Sequence, residues 1–128
     1  HHERDLQIEC AVEPPAVRIN ADRDDMLELL GNLLDNACKW ADHRVRCRIE
    51  VGEATSCVVE DDGAGCSEEA MERLAERGAR VDESVPGHGL GLAICRDIVT
   101  LYGGDLRFDR SSELGGLRVR ADLPLAGG

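Results

Sequence analysis

The sequence predicts an α+β fold, a two-layer sandwich in which a mixed, mainly antiparallel sheet of about five strands carries three helices on one face. Three observations predict it. Strand-like runs arrive in adjacent pairs, helix-period runs separate those pairs, and the two longest helical runs each carry one apolar stripe. A strictly alternating parallel α/β order does not fit. The length of 128 residues is that of a single domain, expected over residues 1–128, and such a chain buries about two-thirds of the surface its unfolded form exposes.

Each element has its own signal. Residues 6–12 read as a strand ended by Pro14-Pro15, and residues 17–20 as a short second one. Asp22 offers an N-cap to a helix running to about Trp40, with Met26, Leu27, Leu30, Leu33, Leu34, Ala37 and Ala41 as its apolar stripe. Residues 45–51 alternate, with Arg46, Arg48 and Glu50 outward, and residues 55–61 follow after a Gly52-Glu53 turn, which makes an antiparallel hairpin. Residues 68–76 suggest a short helix. Residues 77–88 lack a period, hold two Gly and one Pro, and read as a mobile loop. Residues 89–102 form the second long helix, stopped by Gly103-Gly104, and residues 105–109 with 117–123 close the sheet as a hairpin around Gly115-Gly116.

Composition narrows the function classes. With 15 basic and 26 acidic residues the formal charge is -11, a field that opposes polyanions and argues against a nucleic-acid partner. A small anion still binds where backbone N–H groups, a metal ion or a few Arg and Lys side chains override that field locally. No run approaches the roughly 20 apolar residues of a membrane helix, and residues 1–5 are too polar for a signal peptide. The six cysteines show neither CxxC nor zinc-finger spacing and read as small reduced core residues, implying a cytoplasmic domain without direct membrane insertion.

Rare residues point to a site. The chain has 14 Arg but one Lys, three aromatic residues and three Asn, yet Asn32, Asn36, Lys39 and Trp40 share one nine-residue stretch. At about 100° per residue they cluster on one side of the helix, opposite the stripe at Leu30, Leu33, Leu34 and Ala37. A merely solvated face in this composition would carry Glu, Arg or Asp. Asn oxygens are hard neutral ligands suited to Mg2+, Lys is a mobile cation for phosphate, and Trp offers a flat surface for a base or for packing.

Two glycine-rich segments extend the pattern. Asp61-Asp62-Gly63-Ala64-Gly65 follows a strand, so a carboxylate stands where strand becomes turn; it is either a plain Asp-Gly turn or a carboxylate placed to accept a hydrogen bond from an exocyclic amine such as that of adenine. Gly87-His88-Gly89-Leu90-Gly91-Leu92 opens the last helix, where unpaired N–H groups at the positive end of the dipole can cradle phosphate. It is not a Walker A loop, because no Gly-Lys-Ser/Thr follows.

In this order, residues 32–40, then 61–65, then 87–92 resemble the N, G1 and G2 boxes of sensor histidine kinases, within the superfamily shared with gyrase, Hsp90 and MutL. Asn-Ala-Cys-Lys followed by an aromatic, and residues 77–82 ahead of Pro86-Gly87, look most like the PhoQ type. The resemblance implies a Bergerat-type, ATP-binding catalytic domain of a two-component system. It implies that Asn36, with Asn32 beside it, holds Mg2+, that Lys39 contacts phosphate, that Asp61 reads the adenine amine, and that Trp40 flanks the adenine where the family usually has Tyr. Gly63, Gly65, Gly87, His88, Gly89, Leu90 and Gly91 would line the nucleotide, and Arg77 and Arg80 would be the cations of a lid. The aromatic of the F box is missing; Leu74 is the nearest apolar residue.

One position separates branches of that superfamily. Its hydrolases hold a Glu four residues before the metal Asn, and here that place is Asn32. Without a carboxylate, water is poorly activated, so the resemblance implies transfer of the γ-phosphoryl to a His imidazole, resting on positioning and on charge neutralisation by Mg2+, Lys39 and Arg77 or Arg80. The acceptor is expected on a separate dimerisation and phosphoacceptor domain of the parent kinase, whose response regulator takes the group onward and whose body lies in the inner membrane. A GHKL-type ATPase, or a nucleotide-binding regulatory module without transfer, are the rival readings.

Overall fold

An aspartate opens the first helix. The Asp22 carboxylate accepts the N–H groups of Asp24 at 2.8 Å and Asp25 at 3.2 Å, taking up donors that a first turn leaves without partners. This helix, α1 (Arg23–Trp40), carries Asp24 and Asp25 at its positive end and Lys39 at its negative end. The computed structural model describes residues 6–13, 19, 21–63, 69 and 89–125.

The fully buried row of α1 runs Leu29, Leu33, Ala37, then Ala41 just past its end, with Asn36 buried beside it. This corrects the stripe read from the sequence. Leu27 is 55% exposed, Leu29, absent from that stripe, has 0% exposure, and Met26, Leu30 and Leu34 are only partly buried. The helix is covered from two sides, by the sheet and by α2 (Gly89–Leu101), and the buried row follows the line where these covers meet.

Five strands form one sheet: β1 (Gln7–Glu13), β2 (Arg44–Val51), β3 (Thr55–Asp61), β4 (Asp105–Arg110) and β5 (Leu117–Leu123), in the order β1-β2-β3-β5-β4. Only β1 runs parallel to its neighbour, with Cys10 opposite Cys47; the other pairs are antiparallel. The expected α+β class, with a mixed and mainly antiparallel sheet, is the observed one. Two helices are described. Of the short helix expected over 68–76 only Glu69 falls among the described residues, where it is helical; of the strand expected over 17–20 only Ile19 does, in a single bridge; the loop over 77–88 lies outside them.

Strand alternation divides the sheet into two faces. Val45, Cys47, Cys57, Val59, Leu106, Phe108, Leu117, Val119, Ala121 and Leu123 turn toward the helices and form the core with Leu29, Leu33, Leu92, Cys95, Ile98 and Val99. The other face is polar, with Arg118 bound to Asp109 and Arg120 to Asp122. Past the end of α2, Gly103 takes φ +76, which a residue without Cβ adopts without strain, and Tyr102 ties the helices together: its hydroxyl accepts the Asp22 N–H and donates to the Asp25 carboxylate.

Among the described cysteines, Cys47, Cys57 and Cys95 are buried and free, and burial pushes their thiols up to about 11, 12 and 12. The expectation of core cysteines fails at Cys10, which is exposed because β1 is an edge strand that α1 does not cover. Cys66 lies outside the described residues. No helix among the described residues is long and apolar enough to cross a membrane.

Candidate nucleotide site

The last residue of β3 belongs to the inner face of the sheet yet is an aspartate. Asp61 is 3% exposed, and burial raises its carboxyl from an ordinary 3.8 to about 6, partly opposed by N–H bonds from Gly63 at 2.9 Å and Leu117 at 3.4 Å. A carboxylate held at that depth with so few partners is costly unless it serves a ligand. Asp62 behaves differently. Although slight burial opposes it, N–H groups of His43, Arg44 and Asp42 hold its carboxyl below the usual range, and the Asp42 and His43 bonds measure 2.9 and 3.0 Å. Asp62 thereby fastens the turn after β3 to the chain leaving α1.

The next residue explains the glycine. A methyl group on Gly63 would stand 1.8 Å from the Trp40 carbonyl oxygen, so only hydrogen fits between the turn and the end of α1. Asp61, Gly63 and Trp40 are thus brought to one place. The Lys39 ammonium lies 5.7 Å from the centre of the Trp40 ring, keeping the single Lys over the single Trp.

Asn32, Asn36 and Trp40 follow one another a turn apart along α1. At the far end of this row the Asn32 amide donates to the Glu28 carbonyl at 2.8 Å, which leaves its oxygen facing α2: a methyl group on Gly91 would stand 3.4 Å from that oxygen. The row therefore stretches from the first turn of α2 to the turn after β3. Asn36, between them, is buried beside the core, so the Asn side of the helix adjoins the apolar row and does not oppose it as the sequence reading had it.

Gly89 and Leu90 form the opening of α2. Gly65, Arg77, Arg80, Gly87 and His88 lie outside the described residues, as does Leu74. Among the described residues no three His, Cys, Asp or Glu side chains stand close enough to hold a metal ion.

Residues that sequence reasoning missed support Asp61 from behind. Glu60 is 3% exposed although it points to the polar face, where it binds Arg46 at 3.1 Å and accepts the Ser111 hydroxyl at 2.7 Å. Gly116 and Leu117 reach Asp61 from the turn between β4 and β5. The register Arg46↔Glu60, a cross-strand pair of opposite charge, was the available signal for Glu60.

This arrangement matches a known family. The family model described as histidine kinase-, DNA gyrase B-, and HSP90-like ATPase matches residues 21–127. The chain belongs to that ATPase family. Within the family it is similar to the sensor protein kinase CarS of Pseudomonas aeruginosa, 50% identical over 97% of this chain and 28% of the relative. It is also similar to the two-component sensor PhoQ of Pseudomonas aeruginosa, 45% identical over 83% of this chain and 24% of the relative, and to the sensor protein PhoQ of Escherichia coli K12, 39% identical over 82% and 22%. The chain spans about a quarter of the length of these curated relatives. Among solved structures the mycobacterial sensor histidine kinase MprB superposes with a TM-score of 0.76 at 28% identity, covering 99% of this chain and 87% of that one. The ATPase-family chain is thus an ATP-binding catalytic domain of the sensor histidine kinase type, similar to PhoQ and CarS.

Proposed function

We propose that this domain binds Mg-ATP and donates the γ-phosphoryl group to a histidine on a separate dimerisation domain, as one step of two-component signalling by a parent kinase. The observation that carries the reading is Asp61, a buried carboxylate at the end of β3 beside the glycine that packs on Trp40.

Asp61 accepts the exocyclic amine of adenine, and Trp40 offers the ring beside it. Lys39 would supply a cation to phosphate, and the opening of α2 would present N–H groups to the phosphate chain. The fit to Mg2+ rests on donor chemistry: the Asn32 oxygen faces α2, is hard and neutral, and has Asn36 one turn along. When bound, Mg2+ supplies charge neutralisation on the β- and γ-phosphates. Asn32 places no carboxylate near the γ-phosphate, so water lacks a base there. An imidazole nitrogen needs none, because its lone pair attacks phosphorus directly while the bond to the β–γ bridging oxygen breaks and ADP leaves with that electron pair. Arg77 and Arg80 would add positive charge at that moment.

The test is to give the chain ATP labelled at the γ-phosphate together with a separately supplied dimerisation domain carrying the acceptor histidine. Acid-labile, base-stable label on that domain is expected, with loss of label and of Mg-dependent binding in Asn36→Ala. Steady release of inorganic phosphate that disappears in Asn32→Ala, without labelled histidine, would establish the hydrolase reading in its place.

A further inference from the structure

We propose that Gly116 and Leu117, held by the turn between β4 and β5, are positioning residues that aim the Asp61 carboxylate and so set the domain's preference for a 6-amino over a 6-oxo purine. This rests on Asp61 being the purine reader.

Both backbone donors that reach the Asp61 carboxylate, Gly63 N–H at 2.9 Å and Leu117 N–H at 3.4 Å, go to the same oxygen, Oδ1. Neither of these donors goes to Oδ2. Gly116 donates its own N–H to the Asp61 carbonyl at 3.0 Å, and a methyl group on it would stand 2.2 Å from Oδ1. Only a hydrogen therefore fits between Gly116 and Oδ1, so the Gly116 backbone backs the carboxylate on that side.

The turn is itself held. The Ser111 N–H donates to the Gly116 carbonyl at 2.7 Å, and Gly115 returns its N–H to Ser111 at 2.8 Å. The Ser111 hydroxyl donates to buried Glu60 at 2.7 Å while accepting the Leu114 N–H at 3.0 Å. Arg46 joins Glu60 to Glu113 across the same turn. Neighbouring residues of β3 therefore act on opposite faces of the sheet: Glu60 anchors the turn, and the turn orients Asp61.

An amine donates to the aimed oxygen, whereas a 6-oxo group presents an acceptor to an acceptor. The experiment compares affinities for ATP and inosine triphosphate, which differ at this position, by calorimetry on the folded domain. Wild type is expected to prefer ATP by at least about tenfold, in line with a hydrogen bond to a charged acceptor. Gly116→Ala is expected to bring the ratio to about threefold or less by weakening ATP alone, whereas general damage to the fold weakens both nucleotides. Ser111→Ala should lower the ratio severalfold and Ser111→Thr restore it, which keeps the test decisive if Gly116→Ala does not fold. Gly103→Ala strains a residue at φ +76 beyond the end of α2, outside the β4–β5 turn, so it lowers Tm and keeps the ratio. A wild-type ratio retained in Gly116→Ala, or in Ser111→Ala where the first variant does not fold, overturns the positioning role. A wild type that does not discriminate overturns the reading of Asp61 itself.

Discussion

The Cα of Gly63 packs directly on the carbonyl oxygen of Trp40, leaving 1.8 Å where a methyl group would have to sit. Both partners are backbone, so no side chain can swing aside. Gly63→Ala is expected to destabilise the domain by about 3 kcal/mol, the upper part of the range for overpacking, and to separate Asp61 from the end of α1. Denaturant unfolding gives the first quantity and ATP titration in mild conditions the second. A variant of wild-type stability would mean that the turn and the helix do not meet this closely.

Gly31 gives the opposite expectation. It is exposed in the middle of α1, and a methyl group there meets nothing within 4 Å. Gly31→Ala should raise stability by about 1 kcal/mol through helix propensity alone, without change in ATP affinity. Paired with Gly63→Ala in the same unfolding assay, it separates close approach from glycine's general effect on a helical chain.

Asp61 makes stability and binding respond to pH in opposite senses. A carboxyl raised from 3.8 to about 6 favours folding fully below 3.8 and loses that contribution as pH rises through about 6. At pH 7.5 wild type therefore bears about 3 kcal/mol that Asp61→Asn, neutral at every pH, does not. The variant should be the more stable protein at pH 7.5, with the gap closing toward pH 4. If Asp61 accepts the adenine amine as proposed, binding runs the other way, because a protonated carboxyl no longer accepts it: ATP affinity at pH 5 should be about tenfold below that at pH 7 in wild type and flat in the variant. The nearby carboxylates of Asp62 and Asp42 push in the same direction as burial. A stability gap independent of pH would remove burial of the ionised form as its cause.

What the chain reveals by itself is uneven in an instructive way. Local signals were enough for the Asp22 cap, the β2–β3 and β4–β5 hairpins and the helix ending at Gly103, because each depends on neighbouring residues. Asn32, Asn36 and Trp40 stand out in the sequence as rare residues, and Asp61 and Gly63 by their place in an ordered box. Long-range relations were not. The parallel pairing of β1 with β2 joins strands separated by α1, and the choice of Leu29 over Leu27 depends on where the sheet and α2 meet along α1. The same holds for Gly116, whose close approach is to an aspartate 55 residues away in sequence.

Gly91 joins a helix opening to a metal-binding proposal. It stands in the first turn of α2, 3.4 Å in prospect from the Asn32 oxygen, so alanine is sterically tolerable and favoured by helix propensity. On the proposed reading, the added methyl would nevertheless stand against the oxygen offered to Mg2+, and a hard cation gains no ligand from an apolar neighbour. Gly91→Ala is therefore expected to equal or exceed wild type in Tm while Mg-dependent ATP affinity falls by about tenfold or more. Affinity measured with the metal chelated should change little, since Asp61, the proposed adenine reader, lies at the other end of the row. Calorimetric titrations with and without Mg2+ distinguish the two. Equal loss in both would mean that the methyl obstructs the phosphates themselves, and no loss in either would take Asn32 out of the metal site.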